Sequence, residues 1–151
     1  MQGKLRNMTT IYLFREDKVL MLYRIGSRVV LQPSWCGIGG HFEKEELNDA
    51  RACVLREMQE EIGLTEKDLE TVSLRYVTLR HKNDEIRQIY YFFAQLKKEA
   101  QVAEQCSEGI LKWVDVDEVL ALPMPHTARY VMQHYLETGK DTETVYGGIA
   151  Q

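Results

Sequence analysis

Five apolar residues, Leu47, Ala50, Val54, Met58 and Ile62, recur at intervals of three or four, which lays them along one stripe of an amphipathic helix. Gly63 stands where such a helix would stop. The pattern on either side is different. Thr9 to Phe14 and Val19 to Arg24 are short runs of β-branched, aromatic and aliphatic residues parted by the polar Arg15-Glu16-Asp17-Lys18, the mark of a hairpin. Leu69 to Arg80 and Ile86 to Leu96 repeat it around His81-Lys82-Asn83-Asp84-Glu85. A helix with a single apolar stripe must bury it on another layer, and strands before and after it make that layer a mixed sheet.

Glycines and prolines fill in the order. Gly26-Ser27-Arg28 makes a turn into a strand at Val29 to Gln32, and Pro33, Gly37, Gly39 and Gly40 mark a loop ahead of the helix. Ile110 to Val114 reads as a strand, Asp115 to Leu122 as a short helical turn ended by Pro123 and Pro125, and Thr127 to Glu137 as a last helix. Residues from about 139 to 151 read as a loose tail. With 151 residues, no internal repeat and no low-complexity linker, the order β-β-β-α-β-β-β-α describes a single domain over residues 1–151.

The chain has 19 Lys and Arg against 23 Asp and Glu, a formal charge of −4, with no basic excess to draw it to nucleic-acid polymers or anionic membranes. Residues 41–61 hold seven acids and three bases, so the acidity is one local concentration. Cys36, Cys53 and Cys106 are odd in number and form no CxxC pair, which suggests neither a disulfide framework nor a thiolate zinc site and points to a reducing compartment. No stretch approaches the roughly 20 apolar residues of a membrane span. The start lacks an apolar run with a small-residue cleavage site, so the expected location is cytoplasmic.

At about 100° per residue, Glu57, Glu60 and Glu61 share one arc of the helix beside its apolar stripe. Carboxylates at such spacing repel, more strongly where water is excluded, and call for counter-charge. A solvated face paired with Lys44, Arg51 and Arg56 would supply it. So would a hard cation, because clustered oxygen donors without Cys or His suit Mg²⁺ or Mn²⁺ better than zinc. Arg56 and the backbone at Gly39-Gly40, where no Cβ blocks an ion or a phosphate, would complete such a site.

Gly39-Gly40-His41-Phe42-Glu43, followed by Arg56-Glu57-Met58-Gln59-Glu60-Glu61-Ile62-Gly63-Leu64, resembles the signature of the Nudix hydrolases. That signature runs Gly, five residues, Glu, seven residues, then Arg-Glu-apolar-x-Glu-Glu-x-Gly-apolar. Its second half is complete here, and Gly40 with Glu46 keeps the first spacing, but nine residues separate Glu46 from Arg56. The resemblance implies an α/β fold, the Nudix-type α/β/α sandwich on a mixed β-sheet, and hydrolysis of a nucleoside diphosphate linked to another group. It implies catalysis by Glu57, Arg56 and Glu60, with Glu57 as a base and Arg56 orienting the carboxylates. Divalent metal, Mg²⁺ or Mn²⁺, would be held by Glu57, Glu60, Glu61 and the Gly40 carbonyl, with Glu43 behind them. Gly39, Gly40 and Arg24, which ends the second strand, are the expected substrate contacts.

The compact chain and Leu122-Pro123-Met124-Pro125 resemble the MutT-like branch, which cleaves nucleoside triphosphates, 8-oxo-dGTP included, to the monophosphate and pyrophosphate. The alternatives are ADP-ribose or dinucleoside polyphosphate hydrolysis, whose enzymes often carry a proline and a tyrosine where Leu79 and His81 stand, or a non-catalytic nucleotide-binding Nudix domain. The partner expected is a nucleotide, with no nucleic-acid polymer and no membrane; the family also allows a homodimer. Tyr12, Trp35 and Tyr90 are possible stacking platforms but read first as core or sheet residues, and none is named as a site; the dispersed His41, His81, His126 and His134 read as structural or surface groups. No GxSxG elbow or Walker-type phosphate loop is present.

Overall fold

Both hairpins form, and they meet in one sheet. The computed structural model describes residues 3–24 and 34–150; the turn at Gly26-Ser27-Arg28 and the strand expected at Val29 to Gln32 lie outside the described residues. The elements are β1 (Lys4–Arg15), β2 (Lys18–Arg24), β3 (Ser34–Cys36), β4 (Ile38–His41), α1 (Ala50–Ile62), β5 (Leu69–Lys82), β6 (Glu85–Leu96), β7 (Gln105–Cys106), β8 (Gly109–Asp115), α2 (His126–Glu137) and β9 (Tyr146–Ala150). The strands form a mixed sheet in the order β7-β8-β2-β1-β6-β5-β9, with β3 on β2 and β4 on β1. β1 runs parallel to β6, and β5 to β9.

Alternation along β1 assigns the two faces. Ile11 and Leu13 join Val54 and Met58 of α1 in one core, whereas Tyr12 and Phe14 join Val131 and Met132 of α2 in the other. The result is helix, sheet, helix, the sandwich expected from the sequence.

Three local expectations change. The glycine-rich stretch is not a plain loop, because β3 and β4 pair with β2 and β1. A Cβ on Gly39 would lie 1.9 Å from the Thr9 carbonyl oxygen, so glycine is what lets β4 press onto β1. The helix begins at Ala50 rather than Leu47: the Asp49 carboxylate accepts the Ala52 amide at 3.0 Å and caps the first turn, leaving Leu47 55% exposed in the preceding turn.

The tail is corrected most. Residues 139–141 form a 3₁₀ turn and Tyr146–Ala150 pairs with β5. Buried Arg75 fastens this segment, donating from Nε to the Thr144 carbonyl at 3.1 Å and from Nη2 to the Gly139 carbonyl at 2.5 Å.

Candidate active site

The helix α1 and the strand β4 face each other across a narrow gap, and the chemistry gathers there. Asp49 caps the helix at its start; at its end the Gly63 amide donates to the Gln59 carbonyl with Gly63 at φ 72°, a left-handed close that favours glycine. The capped helix fixes Glu57 and Glu61, one turn apart, toward β4. A Cβ on Gly40 would fall 2.4 Å from the Glu57 carboxyl carbon, so the missing side chain makes room for that carboxylate.

Arg56 organises the acids. Its Nε and Nη2 donate to Glu46 Oε2 at 2.7 Å and Oε1 at 2.9 Å, a two-pronged grip, while Nη1 donates to Glu57 Oε1 at 3.1 Å and Glu60 Oε2 at 3.0 Å. Glu46 is buried and also accepts the Glu43 amide at 2.9 Å. Its hydrogen bonds from Arg56 hold its carboxyl below the usual carboxylate range despite burial. Glu46 thus reaches Arg56 across the nine residues that separate them. Glu43 is only a loose neighbour, at 3.8 Å from Arg56 with its side chain 58% exposed.

A pocket of about 460 Å³ opens between these elements, lined by Arg24, Gly39, Gly40, Glu57 and Glu61 and floored by Met8 and Ile89. Burial pushes the Glu61 carboxyl up to about 7, Arg24 and the Gly39 amide opposing the shift. Its Oε2 is buried with no hydrogen-bond partner among the described residues. Burial also raises Glu57, against the pull of Arg56.

The three helix carboxylates do not converge as a triad. Glu57 and Glu61 enter the pocket, whereas Glu60 stays 56% exposed on Arg56. Among the described residues, no three His, Cys, Asp or Glu side chains are gathered closely enough for a metal cage. The arginine meets the counter-charge requirement at Glu60 instead. What remains fits a hard divalent cation: two carboxylates, an orphaned buried oxygen on one of them, and the Gly40 cradle, all oxygen chemistry.

Arg24 reaches the opposite wall. Its Nε donates to Cys36 Sγ at 3.1 Å and Nη1 to Glu108 Oε2 at 3.3 Å, with Nη2 4.0 Å from Glu61 Oε1. Glu108 and Cys36 line the pocket and were not legible as site residues. Glu108 arrives because β8 pairs with β2, setting Gly109 opposite Arg24; the one local signal was the glycine after it, at φ 155° with a Cβ position 2.0 Å from the Tyr23 carbonyl oxygen. None of the stacking candidates lines the pocket: Tyr12 is fully buried, Trp35 packs on Tyr23, and Tyr90 packs on Phe42.

The sequence model of the NUDIX domain matches residues 4–135. The chain belongs to the Nudix family. Solved structures agree on the fold. A mutator MutT protein from Bacillus halodurans is 26% identical, with 95% of this chain and 88% of that one covered and a TM-score of 0.74. An Ap4A hydrolase from C. elegans, solved as a binary complex, is 16% identical with 91% and 99% covered and a TM-score of 0.72. The NUDIX domain of NrtR from Shewanella oneidensis, solved with ADP ribose, is 17% identical with 91% and 89% covered and a TM-score of 0.70. This Nudix chain is of the MutT-like branch and is a hydrolase of phosphoric anhydride bonds in nucleoside diphosphate-linked compounds. Nudix hydrolases work with divalent metal ions, and among the described residues no helix is long and apolar enough to cross a membrane.

Proposed function

We propose that this chain is a Mg²⁺-dependent nucleoside triphosphate pyrophosphohydrolase that takes 8-oxo-dGTP-like substrates and releases the monophosphate and pyrophosphate. The observation that carries this reading is the orphaned Glu61 oxygen in one pocket with Glu57, the Gly40 cradle and Arg24. Likeness to the Bacillus halodurans MutT protein supports the substrate class.

Glu57, Glu61 and the Gly40 carbonyl would hold the cation, and Glu60, one turn from Glu57 and paired with Arg56, would be the third carboxylate to join. When bound, Mg²⁺ neutralises anionic diphosphate oxygens and acidifies a water molecule. Glu57, which lines the pocket beside Glu61, would accept the proton of the attacking water. Arg24, on the pocket wall, would offer a substrate phosphate a planar donor fork. Arg56 keeps the carboxylates oriented without meeting the substrate itself.

The test is a panel of dNTPs, 8-oxo-dGTP, ADP-ribose and dinucleoside polyphosphates, with monophosphate, pyrophosphate and phosphate read separately. The reading expects monophosphate and pyrophosphate in equal amounts from a triphosphate. Turnover confined to ADP-ribose or to dinucleoside polyphosphates replaces the substrate, and nucleotide binding without any product replaces the enzyme with a binding domain.

A further inference from the structure

Three arginines stand in one row across the sheet. Arg6 on β1 is the register partner of Arg87 on β6, and Arg87 that of Arg80 on β5. Register partners project from the same face, here the face carrying Met8 and Ile89, which are themselves partners and floor the active pocket. The row lies two residues along the strands from that floor, about 7 Å, and spans about 10 Å over its three strands.

Its charges are poorly compensated. Arg6 and Arg87 share one carboxylate, Glu85, at 3.2 and 3.3 Å. Among the described residues Arg80 makes no ion pair. Like charges directly opposite on neighbouring strands oppose pairing, so the row weakens the sheet that carries it. It is also joined to the active site: Arg6 Nη2 lies 2.6 Å from His41 Nε2, and His41 lines the pocket with Gly40 and Glu57.

We propose that this row receives the distal phosphates of a polyphosphate substrate, so that the enzyme favours substrates carrying three or more phosphates over those carrying two. The inference rests on the hydrolytic reading of the pocket. Gly40 is the register partner of Thr9, three residues from Arg6, or about 10 Å along the strand. A diphosphate held at Gly40 ends short of the row, and each further phosphate extends toward it. Guanidinium forks match phosphate oxygens two at a time, and three in a line grip a chain. Nucleoside triphosphates and dinucleoside polyphosphates share this chemistry.

Inorganic tripolyphosphate is the probe, titrated calorimetrically with chelator present so that nothing turns over. The row predicts that Arg80→Gln/Arg87→Gln weakens tripolyphosphate binding about tenfold or more while Arg51→Gln, an exposed arginine paired with Glu66, does not. The wild-type affinity also falls more steeply with salt than that of the double variant. In kinetics, kcat/KM on dGTP or on a dinucleoside tetraphosphate, relative to ADP-ribose, falls about tenfold or more, through KM; the arm that falls further identifies which polyphosphate the row serves. Equal affinity of wild type and double variant overturns the proposal, as does equal weakening by Arg51→Gln. Thermal melts check folding, and Arg80→Gln alone serves if the double variant is unstable. If the wild type turns over no nucleotide, the hydrolytic reading fails while the tripolyphosphate comparison still decides the fate of the row.

Discussion

Gly40 and Glu57 are packed so closely that no methyl group fits between them: a Cβ on Gly40 would lie 2.5 and 2.6 Å from the two Glu57 carboxylate oxygens. Neighbouring Gly39 has the same intolerance for another reason, since its Cβ would meet the Thr9 backbone. The two glycines therefore separate function from folding. Gly40→Ala displaces a side chain that can swing, so its stability cost is about 1 kcal/mol while kcat falls about tenfold or more. Gly39→Ala displaces backbone and costs about 3 kcal/mol or more. Urea melts together with steady-state kinetics distinguish them.

The raised Glu61 carboxyl has a definite pH signature. Its folded value of about 7 lies above its ordinary 4.5, so the folded chain holds a proton that the unfolded chain has released. In metal-free protein the stabilisation is full below about pH 4.5 and is lost as pH rises toward 7, by about 1–3 kcal/mol in total. A divalent cation must displace that proton, so its affinity rises over the same window. Melts in chelator from pH 5 to 8 should fall in Tm, and Glu61→Gln should flatten the curve.

Much of this arrangement was legible in the chain and some was not, for a physical reason. Spacing in sequence specifies neighbours on one helix, and so it gave the grouping of Glu57 and Glu61 and the reach of Arg56. It could not distinguish Glu60, which sits on the same arc but is held outward by Arg56. Pairing between distant strands is not encoded in local pattern, and Glu108 and Cys36 enter the pocket only because β8 and β3 both lie on β2. β9 was missed for a related cause: Tyr146-Gly147-Gly148-Ile149-Ala150 is a weak strand former, and a buried arginine from β5 fastens the segment that leads into it.

Arg56 joins three carboxylates, one of them the buried Glu46. Arg56→Met leaves that charge without its partner and should cost about 3 kcal/mol. Glu46 is held below its ordinary value, so this contribution is present above about pH 4.5 and is lost as pH falls through the depressed folded value. The gap in stability between wild type and variant should therefore narrow in acid. Arg56→Lys should recover little, because a single ammonium cannot replace the fork.

Arg75 is buried, and its guanidinium is met by the Gly139 and Thr144 carbonyls and the Thr142 hydroxyl. Arg75→Met should free residues 139–150 while leaving α1 protected. Hydrogen exchange should rise in β9 by about 10-fold or more and stay unchanged in β1 and α1. Uniform acceleration along the chain would show instead that Arg75 supports the whole fold.

The hydrolytic role of the pocket is tested most directly by the Mg²⁺-dependent rate of pyrophosphate release from the best triphosphate substrate, in wild type, Glu57→Gln and Glu61→Gln. Both variants should keep the wild-type fold by circular dichroism and lose about 100-fold or more in kcat. Variants that fold and release pyrophosphate at the wild-type rate would contradict the assignment of the reaction to this pocket.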